Sequence, residues 1–176
     1  MTHRPLTGEP LALDLVNTEW PEHGRMLDYL ADPVGLRTWL AEHEDELGPV
    51  DPEGRPPLGP LRHARRAIRR ALEEKEYGEL NTVLAHGRLR LSIDGHGPAE
   101  RPELDDPTWR SAWEVGRAFL DLIRTAPAGR VRKCDGPGCV LWFLDTSRNG
   151  RRRWCSMTGC GNRAKARAHY TRGQAG

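Results

Sequence analysis

The sequence predicts a mainly α protein with a short β-hairpin. It divides into a helical body over residues 1–128 and a small C-terminal module over residues 129–176, which combines a hairpin, a helix and four cysteines. Three observations carry this reading. Apolar side chains recur at helical spacing through most of the body. Two Asp-Pro pairs, Asp32-Pro33 and Asp106-Pro107, set an N-cap acceptor beside a residue suited to the first helical turn. All four cysteines fall between positions 134 and 160, and none lies in the body.

Taken in order, Glu9–Trp20 carries Leu11, Leu13, Leu15 and Val16 between Pro10 and Pro21. The pattern fits a helix or a strand, and a helix is preferred. Asp32-Pro33 opens a second helix with Leu36, Trp39, Leu40 and His43 on one face, and Gly48-Pro49 stops it. Residues 48–60 hold five prolines and three glycines and are expected to form a loop. Leu61, Ala64, Ile68, Ala71 and Leu72 form the next helical stripe, with Arg62, Arg65, Arg66, Arg69 and Arg70 as a solvated face. Gly78 separates this helix from another over Glu79–Leu89. Arg88–Ile93 alternates as a strand, Asp94-Gly95 is a turn signal, and the return strand falls within Pro98–Leu104. Asp106-Pro107 then caps the clearest helix, whose Trp109, Ala112, Trp113, Gly116, Phe119, Leu120 and Ile123 make the spine of the core. Pro127 and Gly129 end it, and the body–module boundary lies at 126–129.

Charge separates the two parts. The net formal charge is only +2, yet from Arg130 onward eleven Lys/Arg face two acids, so the remainder is net −7. A basic tail on an acidic body suggests an anionic partner. No apolar run approaches the ~18 residues of a membrane span. No secretory leader is readable at the N-terminus either, so a cytoplasmic location is expected.

The cysteines read Cys134-Asp-Gly-Pro-Gly-Cys139 and Cys155-Ser-Met-Thr-Gly-Cys160, two pairs with equal spacers and fifteen residues between them. Four clustered thiols in a reducing compartment read as ligands of one structural zinc ion, since zinc favours a closed tetrahedron of thiolates. Free cysteines, a redox pair and iron are the alternatives. A redox pair favours a two-residue spacer. The connector predicts a hairpin, with Val140–Leu144 turning through Asn149-Gly150 and returning through Arg151–Trp154. Beyond Cys160, Asn162 is a candidate N-cap for a slim basic helix carrying Arg163, Lys165 and Arg167. Some of these cations could offset the thiolate charge, and the surplus faces outward. Arg148, Arg151, Arg152, Arg153, Arg163, Lys165 and Arg167 are therefore the candidate nucleic-acid contacts. An acidic protein, or the chain's own acidic body, would fit the same charge.

The segments Phe143–Asn149, Arg152–Met157 and Cys160-Gly161-Asn162-Arg163, together with the Cys134–Cys139 turn, resemble the CGNR zinc finger. Leu11–Thr18 resembles the opening of the ABATE domain, which is predicted to belong to stress-induced transcriptional regulators. The resemblance implies a bacterial DNA-binding regulator. It implies zinc on Cys134, Cys139, Cys155 and Cys160, and an N-terminal domain that senses a small molecule. Asp14, Asn17 and Thr18 could line such a ligand pocket, or could bridge helices inside the fold. The histidines are scattered and no nucleophile–base pairing or phosphate loop is readable, so an enzyme is not expected. A zinc-stabilised module binding RNA or an acidic protein is the competing reading. A homodimer would suit paired DNA half-sites.

Overall fold

A computed structural model describes residues 3–48 and 57–173 of the chain. Seven α-helices and three separate two-stranded antiparallel hairpins make up its regular structure among those residues. The mainly α fold with small hairpins is as expected. No described helix is long and apolar enough to cross a membrane.

The first helix, α1 (Leu11–Val16), is buried on every side and lies at the centre of the body. It packs against α4 (Leu58–Glu73) and α6 (Arg110–Thr125), which also pack on each other. Around this trio sit α2 (Pro33–Glu42), α3 (Glu44–Leu47) and α5 (Gly78–Ala85). Both Asp-Pro caps work as predicted: Asp32 accepts the Val34 N–H at 3.0 Å, and Asp106 accepts the Thr108 N–H at 2.9 Å.

Four expectations need correction. The Glu9–Trp20 segment is helical only to Val16, and Glu19–Glu22 is a strand, β1, pairing with β2 (Arg25–Asp28). Pro21 is tolerated because it faces the open edge of a two-stranded ribbon, where no ladder N–H is required. The turn uses His23 and Gly24, both at positive φ. The expected loop at 48–60 gives way to helix from Leu58, while 49–56 lies outside the described residues. The helix expected from Glu79 ends at Ala85, and β3 (Gly87–Asp94) follows, pairing with β4 (Gly97–Leu104) as the alternation predicted. In α6, Val115 and Leu122 are buried while Leu120 and Ile123 are exposed, so the core stripe sits about one residue around the helix from its expected face.

The arginines of α4 are not all solvated. Arg65 is 4% exposed and donates to the Thr18 hydroxyl at 2.8 Å and to both Asp28 oxygens at 2.7 and 3.0 Å. Arg69 donates to the Val16 carbonyl and to Glu19. These two residues tie the first hairpin to the helical core.

A second buried network surrounds Asp14. Arg4 and the Trp39 indole donate to it, as does the Gly8 backbone N–H, and His43 Nε2 lies 3.2 Å away. Burial by itself would raise the Asp14 pKa, but the hydrogen bonds from His43, Arg4 and Trp39 and the charge of Arg4 hold it below its ordinary 3.8. Burial pushes His43 down, and the bonds to Asp14 and Glu46 outweigh it, so its pKa is raised above 6.5. The raised His43 value means that its contribution is complete below about pH 6.5 and is lost as pH rises through the folded pKa. Asp14 contributes above its unfolded value and loses that contribution as pH falls through the folded one. We expect the urea midpoint to fall on the alkaline side of neutrality, and His43→Gln to flatten that limb. An unchanged alkaline limb in the variant would remove His43 as its cause.

Candidate metal centre and basic surface

The module is built on a third hairpin. Strand β5 (Val131–Lys133) runs into the Cys134–Cys139 turn and returns as β6 (Trp142–Leu144), pairing Val131 with Leu144 and Lys133 with Trp142. This overturns the expected pairing of 140–144 with 151–154. A turn does form before Gly150, whose N–H reaches the Ser147 carbonyl at 3.1 Å, but no strand returns from it. The buried Asp145 carboxylate gathers the Ser147 N–H, the Ser147 hydroxyl and the Arg152 N–H, and so curls the loop on itself. The Ser147 hydroxyl leads in holding the Asp145 pKa below its ordinary range. The Arg153 carbonyl instead accepts the Asp135 N–H at 2.9 Å, beside the first cysteine turn.

Of the second cysteine pair, Cys155 lies just before a wide helical turn, Met157–Gly161, and Cys160 lies in it; the turn leads into α7 (Asn162–Gly173). Ser156 caps that turn through its hydroxyl, which accepts the Gly159 N–H at 3.0 Å. The cap is thus six residues before the expected Asn162, which is already helical.

The four sulfurs of Cys134, Cys139, Cys155 and Cys160 lie within 4.8 Å of one another, and none is in a disulfide. A tetrahedron with Zn–S bonds of about 2.3 Å would set them about 3.8 Å apart. The Cys139 and Cys155 sulfurs are 4.0 Å apart. Backbone N–H groups of Gly136 and Cys155 point at the Cys134 sulfur at 3.4 and 3.2 Å, and Arg163 donates to the Cys160 sulfur at 3.0 Å. Sulfurs this close share protons unevenly. The hydrogen bond with Cys155 holds the Cys139 thiol down at about 5 and pushes Cys155 up, and burial raises Cys134 to about 11. Only a cation lets all four ionise together. The donor set fits one zinc ion with no open position, a structural site. Gly136 has no room for a side chain, since a Cβ there would stand 2.7 Å from the Cys160 sulfur. Gly136→Ala is expected to weaken zinc retention about tenfold or more. Competition with a chromophoric chelator measures this, and wild-type affinity in the variant would show that the turn can give way.

Two family models match the chain. One spans residues 9–126 and is described as "Putative stress-induced transcription regulator", ABATE; the other spans 130–173 and is described as the CGNR zinc finger. The chain belongs to the ABATE family. It carries a CGNR zinc finger directly after the ABATE region. No curated protein matches it.

The finger and the ABATE region share a core. Trp142 is buried in the main core, and Val131 and Leu144 pack against it. Trp20 of the first hairpin is buried among Leu141, Phe143 and three of the cysteines. Asn17 pairs with the free edge of β6 as a backbone residue would: its amide N donates to the Trp142 carbonyl at 2.8 Å, and its amide O accepts the Trp142 N–H at 2.9 Å. Glu9 accepts the Leu144 N–H at 2.9 Å, and Lys133 reaches Glu73 at 2.6 Å.

Asp14, Asn17 and Thr18 are each at most 1% exposed, and their polar atoms bind Arg4, Trp39 and His43, Trp142, and Leu15 and Arg65, respectively. Of the two readings open for them, bridging within the fold is the one this geometry matches.

The seven candidate basic contacts separate. Arg152 faces inward, donating to the Trp154 and Cys155 carbonyls, pairing with Glu9 at 3.3 Å and lying over the Phe143 ring. Arg163 sits on the Cys160 thiol. Arg153 is paired with Asp135 at 2.8 Å, yet it stays largely exposed. Arg148, Arg151 and Lys165 are exposed and form no ion pair among the described residues. Arg167 is exposed and has an intramolecular interaction. The sequence reading passed over Glu9, Arg65 and Asp145. Glu9 and Asp145 each border an apolar run, which is the signal that could have flagged them, whereas Arg65 lies among other arginines and carries no such local signal.

Proposed function

We propose that the protein is a cytoplasmic transcriptional regulator rather than an enzyme, and that its zinc finger binds duplex DNA. The observation that supports this is how the module distributes its cations. Arg152 is turned into the fold and Arg163 is engaged by the Cys160 sulfur, while Arg148, Arg151 and Lys165 stay exposed without an acidic partner among the described residues. A groove of about 460 Å³ is lined by Arg151–Met157 and offers a recess for a phosphate ridge. Arg148, Arg151, Arg153, Lys165 and Arg167 would make about five phosphate contacts, giving a salt slope near −4.5 on duplex DNA. Fluorescence anisotropy over a salt series tests this. Replacing Arg148, Arg151 and Lys165 by alanine should reduce the slope by about 2.7. A slope unchanged by the triple variant would move the interface elsewhere. Tighter binding to structured RNA or single strands, in competition, would favour the RNA-binding reading.

An effector, on this reading, binds away from Asp14, Asn17 and Thr18. A cleft of about 490 Å³ lies between the His23-Gly24 turn and both cysteine turns, with Trp20 and Arg163 in its lining. Its volume suits a small molecule, and a ligand there would touch the ABATE region and the finger at once.

A further inference from the structure

The β3–β4 hairpin is exposed along nearly all of β3, with Leu91 at 71% and Ile93 at 80% exposure. An uncovered two-stranded hairpin is marginal in water, so its edges and its apolar face call for a partner. The two edges are built differently. In an antiparallel ladder, alternate pairs exchange backbone hydrogen bonds, and the residues of the other pairs turn their N–H and C=O outward. The two-residue turn closes on the Asp94–Gly97 pair, so the outward pairs are Ile93–Pro98, Leu91–Glu100, Leu89–Pro102 and, at the end nearest the body, Gly87–Leu104. On the β4 side, the three outward positions nearest the turn are Pro98, Glu100 and Pro102: two lack an N–H and the third is charged. This is how proteins blunt a strand edge against pairing. The β3 edge has Leu89, Leu91 and Ile93 in the same places, with every N–H intact and no charge. None of these outward groups finds a backbone partner outside the hairpin among the described residues.

We propose that β3 is the seam of a homodimer, in which two copies pair β3 to β3, antiparallel, about a twofold axis at Leu91. The sequence of β3 is self-complementary in that register. Leu91 faces the partner's Leu91 and Leu89 faces the partner's Ile93, so all three aliphatic side chains of each copy meet aliphatic ones on one face. On the other face, Arg90 lies opposite the partner's Ser92, and Arg88 lies opposite the partner's Asp94. Arg88 already bonds Glu103 across its own hairpin at 2.9 Å, so the seam extends an existing charge ladder from Glu103 through Arg88 to the partner's Asp94. The outward positions supply about six backbone hydrogen bonds. Neighbouring registers are worse. Centring on Arg90 sets that guanidinium against itself, and like charges directly opposite destabilise a pair. Centring on Ser92 leaves Leu89 opposite the turn at Gly95. The contact is isologous and closes at two chains.

Sedimentation velocity of the full chain tests this. We expect a reversible dimer that Leu91→Pro converts to monomer. Proline at 91 removes only an outward N–H, as Pro98 and Pro102 do in β4, so the variant should keep the wild-type circular dichroism. A second arm tests the register with every edge N–H left in place. Arg88 also pairs with Glu103 and Asp94 also accepts the His96 N–H, so each variant's circular dichroism is compared with wild type. Arg88→Asp and Asp94→Arg should each be monomeric, because each sets like charges opposite across the seam. Mixed one to one, they should restore a dimer, since both cross-strand pairs are then of opposite sign. A wild-type monomer up to its solubility limit would overturn the proposal and leave the β3 edge to a strand from another protein. A dimer indifferent to Leu91→Pro, or a mixture that stays monomeric, would overturn it as well.

Discussion

Removing zinc by chelation, or replacing Cys155 by serine, is expected to unfold the finger and to lower the melting temperature of the ABATE region with it. Zinc binding to a four-ligand structural site provides about 10–16 kcal/mol near neutral pH, more than a module with one short hairpin and one helix can replace. Without the ion the four sulfurs, within 4.8 Å of one another, cannot all be thiolates, and the turns that present them lose their common anchor. The effect does not stop at residue 130. Trp142 is part of the main core, and Asn17 satisfies both its backbone groups. Loss of β6 would leave the buried Asn17 amide without partners and open the floor beneath α1. Near-UV circular dichroism, sensitive to Trp20, Trp142 and Trp154, should collapse together with a downward shift of the whole thermal transition. A body that melts at the same temperature with and without zinc would show that the shared core contributes little.

Asp14→Ala is expected to be nearly as damaging, by about 3–5 kcal/mol in urea unfolding. That is about a fifth or more of the stability of an ordinary small domain. The reason is the charge left behind. Arg4 is 5% exposed and its guanidinium faces Asp14, with Glu42 as its other acidic partner. Truncating the carboxylate also strands the Trp39 indole N–H in the interior. Replacing both charges at once, with Arg4→Met and Asp14→Leu, should recover much of the loss, because an apolar pair of similar volume carries no buried charge. A double variant as unstable as the single one would mean that the network's shape, rather than its charge, is what the fold requires.

The parts of the fold legible in the sequence are those set by near neighbours. Asp32 and Asp106 reach backbone N–H groups two residues on, and the cysteine spacers fix two tight turns, so each was readable locally. The β3–β4 hairpin was readable for the same reason, through strict alternation and a two-residue turn. What escaped depended on distant partners. Pro21 reads as a breaker until it is seen on an open edge. Asn149-Gly150 marks a real turn, yet whether the chain pairs across it was decided by Asp145, which binds the loop back on itself, and by β5, which takes β6 first. Arg65 and Arg152 look like solvated cations beside their basic neighbours. Their burial follows from carboxylates and carbonyls brought to them by other elements. At the metal site the ligands were legible, whereas the sorting of arginines into inward and outward groups required the fold.

The contact between Asn17 and Trp142 has a consequence for whether the two segments can be exchanged. Two family descriptions meet near residue 128, and a recombination there would look harmless on paper. In the folded chain that point falls inside a common interior: one amide from the first helix completes a strand 125 residues later. A finger moved onto a foreign body would arrive with an open strand edge and a bare tryptophan, and a body left without its finger would keep a buried amide with nothing to bind. The contact ties the two segments of this chain to each other, and it makes residue 17 a place where a change in one segment must be answered in the other.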